Sequence, residues 1–308
     1  MRISTSWAQQ LGVNSMLEQQ AKLSQTQLQL STGKKMLAPA DDPAAAARVV
    51  DLNQSIKQTE QYQSNINTAR QRLSLQDGLL QNAVDVLQRI TELGVQGLND
   101  TYSQSDRNAI ATEMDQLKEQ LLGIANTRNA NGEYVFAGFK TDTQPFTNIP
   151  LPGGGYSYGG DSNQRSIQIG TNRSIADGDP GENVFGVPVG TPPPAGPSTG
   201  ISNIFEAIDK FAADMRNNDP QTSSLGDISS SLDKISTVQS SIGVRLNALD
   251  NQEGANSDFV LSMKTVLSET EDLDYTDAIS KYNLQTVALQ AAQQAFARVQ
   301  DLSLFKFL

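Results

Sequence analysis

Apolar residues recur every seven positions in the first part of the chain. One row starts at Leu52, and a second row starts at Ala69 and interleaves with the first at spacings of three and four. Such spacing places both rows on one side of an α-helix and predicts a heptad seam. The first row contains Leu52, Thr59, Ile66, Leu73, Leu80, Leu87 and Gly94, and the second contains Ala69, Gln76, Ala83, Ile90 and Gly97.

The C-terminal part has a similar pair of rows, which predicts a second long helix able to pack against the first. No proline lies between Pro43 and Pro145, so the first helix is predicted from about Pro43 to Asn99, roughly 85 Å at 1.5 Å per residue. Polar seam positions weaken such packing, and these helices need neighbours to be well ordered. The C-terminal rows are Ile228, Ile235, Ile242, Leu249, Asn256 and Met263, and Leu232, Gln239, Leu246, Glu253, Val260 and Leu267.

Helix boundaries are marked by residues that cap helices. Gly33 suits the left-handed position after a helix, and Asp42 with Pro43 supplies an N-cap and a first-turn proline for the next helix. Two further helix starts, near residues 104 and 275, are predicted from an oxygen cap followed three residues later by an acid, in the pairs Ser103 with Asp106 and Asp274 with Asp277.

Between Asn131 and Gly200 the heptad pattern gives way to short β-prone segments separated by Gly and Pro. Tyr134–Phe136, Tyr156–Tyr158 and Ser166–Ile169 are predicted strands, followed by an extended proline-rich connector over 191–197. The predicted fold is mainly α with a β insert (α+β): a long antiparallel, coiled-coil-like helical rod formed by the N- and C-terminal segments, with a small β-rich outer domain. The predicted divisions are 1–42 and 274–308 as terminal assembly helices, 43–130 and 201–273 as the rod, and 131–200 as the β insert.

Composition narrows the range of functions. Hydrophobic residues make up 37% of the 308 residues and aromatic residues 6%, so the core is thin and suits long helices better than a ball. The net charge of −11 argues against nucleic-acid binding, which needs clustered Lys and Arg. Because the chain has no Cys and no His, thiolate nucleophiles, imidazole bases and Cys/His zinc sites are excluded.

Candidate chemistry elsewhere in the chain is weak. The acidic segment Asp177–Glu182 is a candidate calcium site. Its fifth and sixth positions are Gly181 and Glu182, whereas an EF-hand loop needs a ligand and then a glycine there. The acids between Glu269 and Asp277 are expected as helix caps. No catalytic, cofactor or metal residues are therefore predicted, and the protein is not expected to be an enzyme. No secretory signal peptide and no membrane span are expected, because apolar runs of the required length are missing.

Both ends of the chain carry apolar stripes. One interpretation packs them in an ordinary intramolecular core; the other leaves them for neighbouring subunits, and the polar seams favour the second. The predicted subunit-interface residues are Ile3, Trp7, Leu11, Leu17, Leu28, Ile279, Tyr282, Leu289, Phe296, Leu302, Leu304, Phe305 and Phe307.

Several segments resemble the flagellin superfamily. Leu30–Ala44 is similar to its helix-break signature, Leu87–Gln96 to its second signature, and Asp274–Ala278 with Leu284–Ala295 to its terminal helix. The prolines in Ala38–Pro43, the segment Glu133–Gly138 and the end of the chain favour the branch found at the junction between hook and filament. The family-motif residues expected to have structural roles are Gly33, Asp41, Asp42, Pro43, Arg89, Glu92, Leu93 and Asp106.

The resemblance implies a secreted structural subunit of the bacterial flagellum. It implies export through the flagellar type III channel without a cleaved signal peptide and with an export chaperone. It also implies self-association in a ring between the first hook-associated protein and flagellin, with helical ends inside and the β insert outside. Flagellins present the positions matching Arg89, Leu93 and Glu113 to an innate immune receptor.

Three alternatives stay open at this point. A filament flagellin with a small outer domain has the same terminal motifs. Heptad helices also serve cytoplasmic signalling or scaffold modules. An enzyme acting on surface polysaccharide through the β insert would require two carboxylates about 5 to 10 Å apart in a cleft.

Overall fold

The structure is a computed structural model that describes residues 2–149, 155–186 and 202–301, with the side chains of 2–6, 8, 9 and 299–301 left out. Over these residues it contains seven helices and four short strands. The helices are α1 Arg2–Thr32, α2 Pro43–Gly97, α3 Gln104–Ala125, α4 Gly181–Phe185, α5 Ile204–Arg216, α6 Thr222–Glu271 and α7 Tyr275–Asp301. The strands are β1 Phe146–Asn148, β2 Tyr156–Tyr158, β3 Ser166–Gly170 and β4 Arg173–Ala176.

The predicted fold class is confirmed, since long helices dominate and the strands lie in one insert. The chain forms two compact units. The first unit contains the described residues up to Thr59 and those from Asp258 onward, and the second contains Glu60–Ser257. The domain divisions expected from the sequence stay a prediction.

The heptad rows form the core of the second unit. In α2, Ile66, Leu73, Leu80 and Leu87 are completely buried. In α6 the first four residues of the row that begins at Ile228, up to Leu249, are buried in the same cluster. Burying a side chain of this size stabilises the fold by about 1.5–3 kcal/mol. The helix predicted from about Pro43 to Asn99 ends two residues earlier, at Gly97.

The predicted helix boundaries are also observed. Gly33 has a φ of +69° after α1, and the Asp42 carboxylate accepts a hydrogen bond of 3.0 Å from the Ala45 N–H. Ser103 and Asp106 form a reciprocal capping box at the start of α3. Hydrogen bonds from the Ser103 hydroxyl and N–H lower the pKa of Asp106.

The second predicted capping box, Asp274 with Asp277 at the start of α7, is only half formed. The Asp274 carboxylate accepts from the N–H groups of Thr276 and Asp277, at 2.9 and 3.3 Å. Asp277 instead pairs with Lys281 at 2.6 Å. The start of α7 is therefore capped by one carboxylate, and the next acid stabilises the first turn through a neighbouring cation.

The β insert differs in part from the prediction. β1 pairs with β2 and β3 pairs with β4, both antiparallel, with a bulge between Gln168 and Gly170. Tyr134–Phe136 was wrongly predicted as a strand, because the backbone turns at Gly138, whose φ is +66°. The Phe136 carbonyl instead accepts hydrogen bonds from Gly181 N–H and the Tyr158 hydroxyl, at 2.7 and 2.8 Å.

Two-stranded hairpins are marginal alone, so each must be held by its surroundings. β1 and β2 are held by rings: Phe146 lies 5.0 Å from Phe205 of α5 and 5.8 Å from Phe185 of α4, centroid to centroid. This aromatic cluster fixes the first hairpin against α4 and α5. The proline-rich connector over 191–197 lies outside the described residues.

The β3–β4 hairpin is held by amide side chains of two long helices. Asn65 of α2 donates to the Gln168 carbonyl at 2.7 Å. Asn256 of α6 donates to the Ile169 carbonyl at 3.1 Å. Side chains from both helices therefore satisfy backbone carbonyls of β3.

Candidate assembly surface

Helices α1 and α7 pack against each other in the first unit. A Cβ atom added to Gly12 would lie 3.2 Å from the Phe296 ring, and one added to Gly33 would lie 2.8 Å from the Tyr275 hydroxyl. Gly12 and Gly33 are 21 residues apart, as are Tyr275 and Phe296. The helices are therefore antiparallel, and their register is the same at both contacts.

The burial pattern identifies the two facing sides. On each helix, most of the residues that are at least half-buried recur at spacings of three and four, as in an antiparallel coiled coil. We call these positions the inner seam. They are Gly12, Met16, Gln19, Leu23, Thr26, Leu30 and Gly33 on α1, and Ala278, Tyr282, Gln285, Leu289, Ala292 and Phe296 on α7.

Helix α1 has a second apolar side that nothing in the described part of the chain covers. Trp7, Leu11, Leu17 and Leu28 are 53 to 67% exposed. With about 100° of rotation per residue, these positions lie on the side of the helix opposite the inner seam. We call them the α1 outer face.

Helix α7 has an outer face of its own. Leu284 and Val287 are 73% and 65% exposed, and with Ser280, Ala288 and Ala291 they line a shallow groove. The sequence analysis missed this face, although the spacing of Leu284, Ala288 and Ala291 by four and three carried the signal. Both terminal helices therefore have two apolar sides, one facing a helix of the same chain and one facing solvent.

Charge is distributed unevenly between the two units. The first unit's sequence, residues 1–59 and 258–308, contains ten Lys and Arg and eleven Asp and Glu, a net charge of −1. Glu60–Ser257 contains 13 Lys and Arg and 23 Asp and Glu, a net charge of −10. Nearly all of the net negative charge therefore lies in the unit that lacks the outer faces.

The predicted interface residues fall into three groups. Trp7, Leu11, Leu17 and Leu28 form the α1 outer face, and Ile279 is half exposed on α7. Tyr282, Leu289 and Phe296 are part of the inner seam. The side chain of Ile3 and the residues Leu302, Leu304, Phe305 and Phe307 lie outside the described part of the structure. The role of all these residues in contacts between subunits stays a prediction.

The segment between α1 and α2 is hydrogen-bonded to the segment between α6 and α7. We call this contact the clasp, and it is formed by Gly33–Lys35 and Glu271–Leu273. Lys35 N–H donates to the Glu271 carbonyl at 2.8 Å, and Leu273 N–H donates to the Gly33 carbonyl at 2.9 Å. The Lys34 ammonium pairs with the Glu271 carboxylate. This hydrogen bond and the opposite charge raise the pKa of Lys34.

The other family-motif residues have local structural roles. Asp41 accepts hydrogen bonds of 2.9 Å from the N–H groups of Leu37 and Ala38, which orders the turn before Asp42 and Pro43. Leu93 is buried in the core of the second unit. The side chain therefore supports the fold and has almost no exposed surface.

Arg89 lies on the exposed surface of α2. It contacts the Glu113 carboxylate through Nε and Nη2, at 3.0 and 2.8 Å, and Glu92 through Nη1 at 3.2 Å. These two carboxylates raise the pKa of Arg89. The ion pairs link α2 to α3 at solvent-exposed positions, where each contributes little to stability.

The acidic loop considered for calcium is neutralised by arginines. Asp177 lies between Arg72 and Arg165, at 3.0 Å from each, and Asp179 pairs with Arg245. A hard cation would have to displace these guanidinium groups from the carboxylates. Over the described residues, no group of three or more acids is placed to hold a metal ion, and no helix is long and apolar enough to cross a membrane.

Comparisons with known proteins agree with this organisation. Residues 3–141 match the family model of the bacterial flagellin N-terminal helical region. The chain is 33% identical to flagellar hook-associated protein 3 of Escherichia coli strain K12 and 32% identical to that of Salmonella typhimurium strain LT2, each alignment covering 99% of both chains.

A solved structure supports the same relationship. The crystal structure of the flagellar junction protein FlgL from Legionella pneumophila is 25% identical, with a TM-score of 0.59, and covers 74% of this chain and 100% of that chain. Full-length similarity at this level, shared motifs and the shared fold lead to one conclusion: the chain belongs to the hook-associated protein 3 family and is a structural protein of the bacterial flagellum, not an enzyme.

Proposed function

We propose that this protein joins the flagellar hook to the filament by assembling through the outer faces of α1 and α7. In this proposal it forms a ring that contacts the first hook-associated protein on one side and flagellin on the other. The observation that carries the proposal is the second apolar side on each terminal helix. A protein that folded and worked alone would gain nothing from exposing tryptophan and leucine there.

The size of the outer faces explains why many contacts would be needed. Burying the exposed part of each large side chain contributes about 1–2 kcal/mol, or roughly 4–8 kcal/mol for the α1 outer face. Association costs about 4–15 kcal/mol in lost translational and rotational freedom. The net free energy of a single contact is therefore close to zero, whereas a subunit held by several neighbours at once is stable.

The charge distribution fits the same proposal. Contacts between first units bring together surfaces with little net charge, so they carry almost no electrostatic cost. The second units, at −10 each, repel one another and keep free copies apart in solution. Assembly would then depend on the apolar contacts outweighing this repulsion.

The proposal also includes the route of delivery. We infer export through the flagellar type III system, with a chaperone covering the terminal helices before assembly and no cleaved signal peptide. The polar inner seam supports this inference, since helices that pack loosely are easily kept unfolded for passage through a narrow channel. After export, the loosely packed ends would become fully ordered when their outer faces meet other subunits.

The proposal is tested by complementing a strain that lacks this gene. Trp7→Ser with Leu17→Ser disables the α1 outer face, and Leu284→Ser with Val287→Ser disables the α7 outer face. We expect both variants to be secreted but to give short or absent filaments, with flagellin released into the medium. Measurements are motility, filament length by electron microscopy and immunoblots of the culture supernatant.

The matched control is Val95→Ser with Val244→Ser, which changes two apolar residues of the second unit that are 58% and 69% exposed. We expect wild-type filaments from this control. Normal filaments from both outer-face variants would refute the proposal. A deletion strain that retains complete hooks and secretes flagellin monomers distinguishes a junction subunit from a filament flagellin.

A further inference from the structure

We propose that the clasp sets the register between α1 and α7. The inner seam of these helices is weak and repetitive, whereas the clasp makes several contacts that exist at only one alignment. This assignment concerns the folding of a single chain and does not depend on what the assembled protein joins.

The inner seam alone discriminates only weakly between alignments. At the observed register, Leu23 faces Gln285, and the Gln285 side-chain oxygen is buried without a hydrogen-bond partner. Leaving such a group unsatisfied costs about 1–3 kcal/mol. Sliding one helix by a heptad would place Leu23 opposite Ala278 and Met16 opposite Gln285, so seam positions would still meet seam positions.

The other seam residues add little discrimination. Gly12 is the exception, because its lack of a side chain leaves room for the Phe296 ring. Ala278 and Ala292 are too small to form knobs that fit only one hole, and Gln19 and Thr26 are polar. Large, well-matched apolar residues are what normally penalise a shifted coiled coil. This seam lacks them at most of its layers.

The clasp supplies the missing discrimination. Its two backbone hydrogen bonds, the Lys34–Glu271 ion pair and the contact between Tyr275 and Gly33 all require the observed alignment. A shift of one heptad moves a helix by about 10.5 Å along its axis, which would break every one of them. The observed register is also maintained 21 residues away, where Phe296 lies over Gly12.

The absence of cysteine from the sequence allows a direct test by disulfide mapping in the full-length protein. Met16→Cys with Ala292→Cys reports the observed register, and Met16→Cys with Gln285→Cys reports the register shifted by one heptad. A disulfide needs Cα atoms within about 7 Å. Each cysteine pair therefore forms a disulfide only in the alignment that it is designed to report. Each pair is placed in the wild-type background and in a clasp variant.

The clasp variant is Lys34→Ala with Leu273→Pro, which removes the ion pair and the N–H that bonds to Gly33. In the wild-type background we expect only the first pair to oxidise. In the clasp variant we expect its yield to fall several-fold while the yield of the shifted pair rises. The control Glu18→Ala with Lys22→Ala removes an exposed ion pair of α1 and should change neither yield.

Two outcomes would overturn the proposal. If the clasp variant still oxidises only the first pair, the seam chooses the register by itself. If neither pair oxidises and circular dichroism shows less helix, the clasp holds the two helices together without selecting their alignment. In both cases far-ultraviolet spectra at several denaturant concentrations check that the second unit is still folded.

Discussion

Arg107 is a buried cation held by two backbone carbonyls, one amide oxygen and, at 3.8 Å, the exposed Asp100 carboxylate. Its replacement gives the sharpest stability prediction. Its side chain is only 7% exposed. Nε donates to the Gly97 carbonyl at 3.1 Å and Nη2 to the Asn99 carbonyl at 3.3 Å, while Nη1 contacts the Asn218 amide oxygen. One guanidinium therefore joins the end of α2 to the turn between α5 and α6.

Arg107→Met keeps most of the apolar volume and removes all three hydrogen bonds. Gly97 is buried, so its carbonyl is left unsatisfied at a cost of about 1–3 kcal/mol. The positive charge at the C-terminus of α2 contributes about 0.3–1 kcal/mol more. Asn99 and Asn218 are exposed, so water replaces much of what they lose. We expect a total loss of about 2–4 kcal/mol.

The loss of unfolding free energy is measured by thermal and urea unfolding, with circular dichroism at 222 nm as the signal. For a unit of this size we expect the midpoint to fall by about 5–12 °C. Arg107→Lys keeps the charge but not the planar fork, and should recover part of the loss. A midpoint for Arg107→Met within about 1 °C of wild type would refute the reasoning, since it would mean that water satisfies Gly97 equally well.

Three further predictions follow from other features. Burial raises the pKa of Tyr158 from 10.0 to about 12, so stability is fully present below pH 10 and decreases as the pH rises towards 12. Thermal unfolding from pH 9 to 12 should show a smaller decrease for Tyr158→Phe; equal slopes would contradict this. Gln285→Leu removes a buried unsatisfied oxygen and should slow hydrogen exchange in α1 and α7; unchanged or faster exchange would contradict it. Raising the NaCl concentration from 20 to 500 mM screens charge repulsion strongly and should promote self-association, measured by light scattering. Dissociation by salt would contradict the proposal that the second units repel one another while the first units associate through apolar contacts.

The sequence was sufficient to predict the long helices of the fold, but not α4 or α5. Repeats of seven need no tertiary information, so the buried rows around Ile66 and Ile228 and the end of α2 could be read directly. Caps are equally local, which is why Gly33, Asp42 and Ser103 could be assigned to helix ends. The hydrogen bonds that cap these helix ends join residues only a few positions apart.

The β insert and the division of the terminal helices into two sides could not be predicted in the same way. Tyr134–Phe136 has strand-forming residues, but its backbone hydrogen bonds go to Thr127, Thr141, Tyr158 and Gly181. Tertiary packing determines these partners. Leu284 and Leu289 are both leucines on α7, yet one faces solvent and the other the inner seam. Which side of α7 packs against α1 decides the difference, and that is a tertiary contact.

The hydrogen bonds between the β3–β4 hairpin and the two long helices have a mechanical consequence. Asn65 and Asn256 grip neighbouring carbonyls of β3, and Arg245 reaches the Ala176 carbonyl at 3.4 Å and the Asp179 carboxylate. Because the hairpin is hydrogen-bonded to both helices, we expect a force applied along α2 to be transmitted to α6 through it. These amide and guanidinium groups would add torsional stiffness to that of the apolar core which α2 and α6 share, and shortening their side chains would lower it.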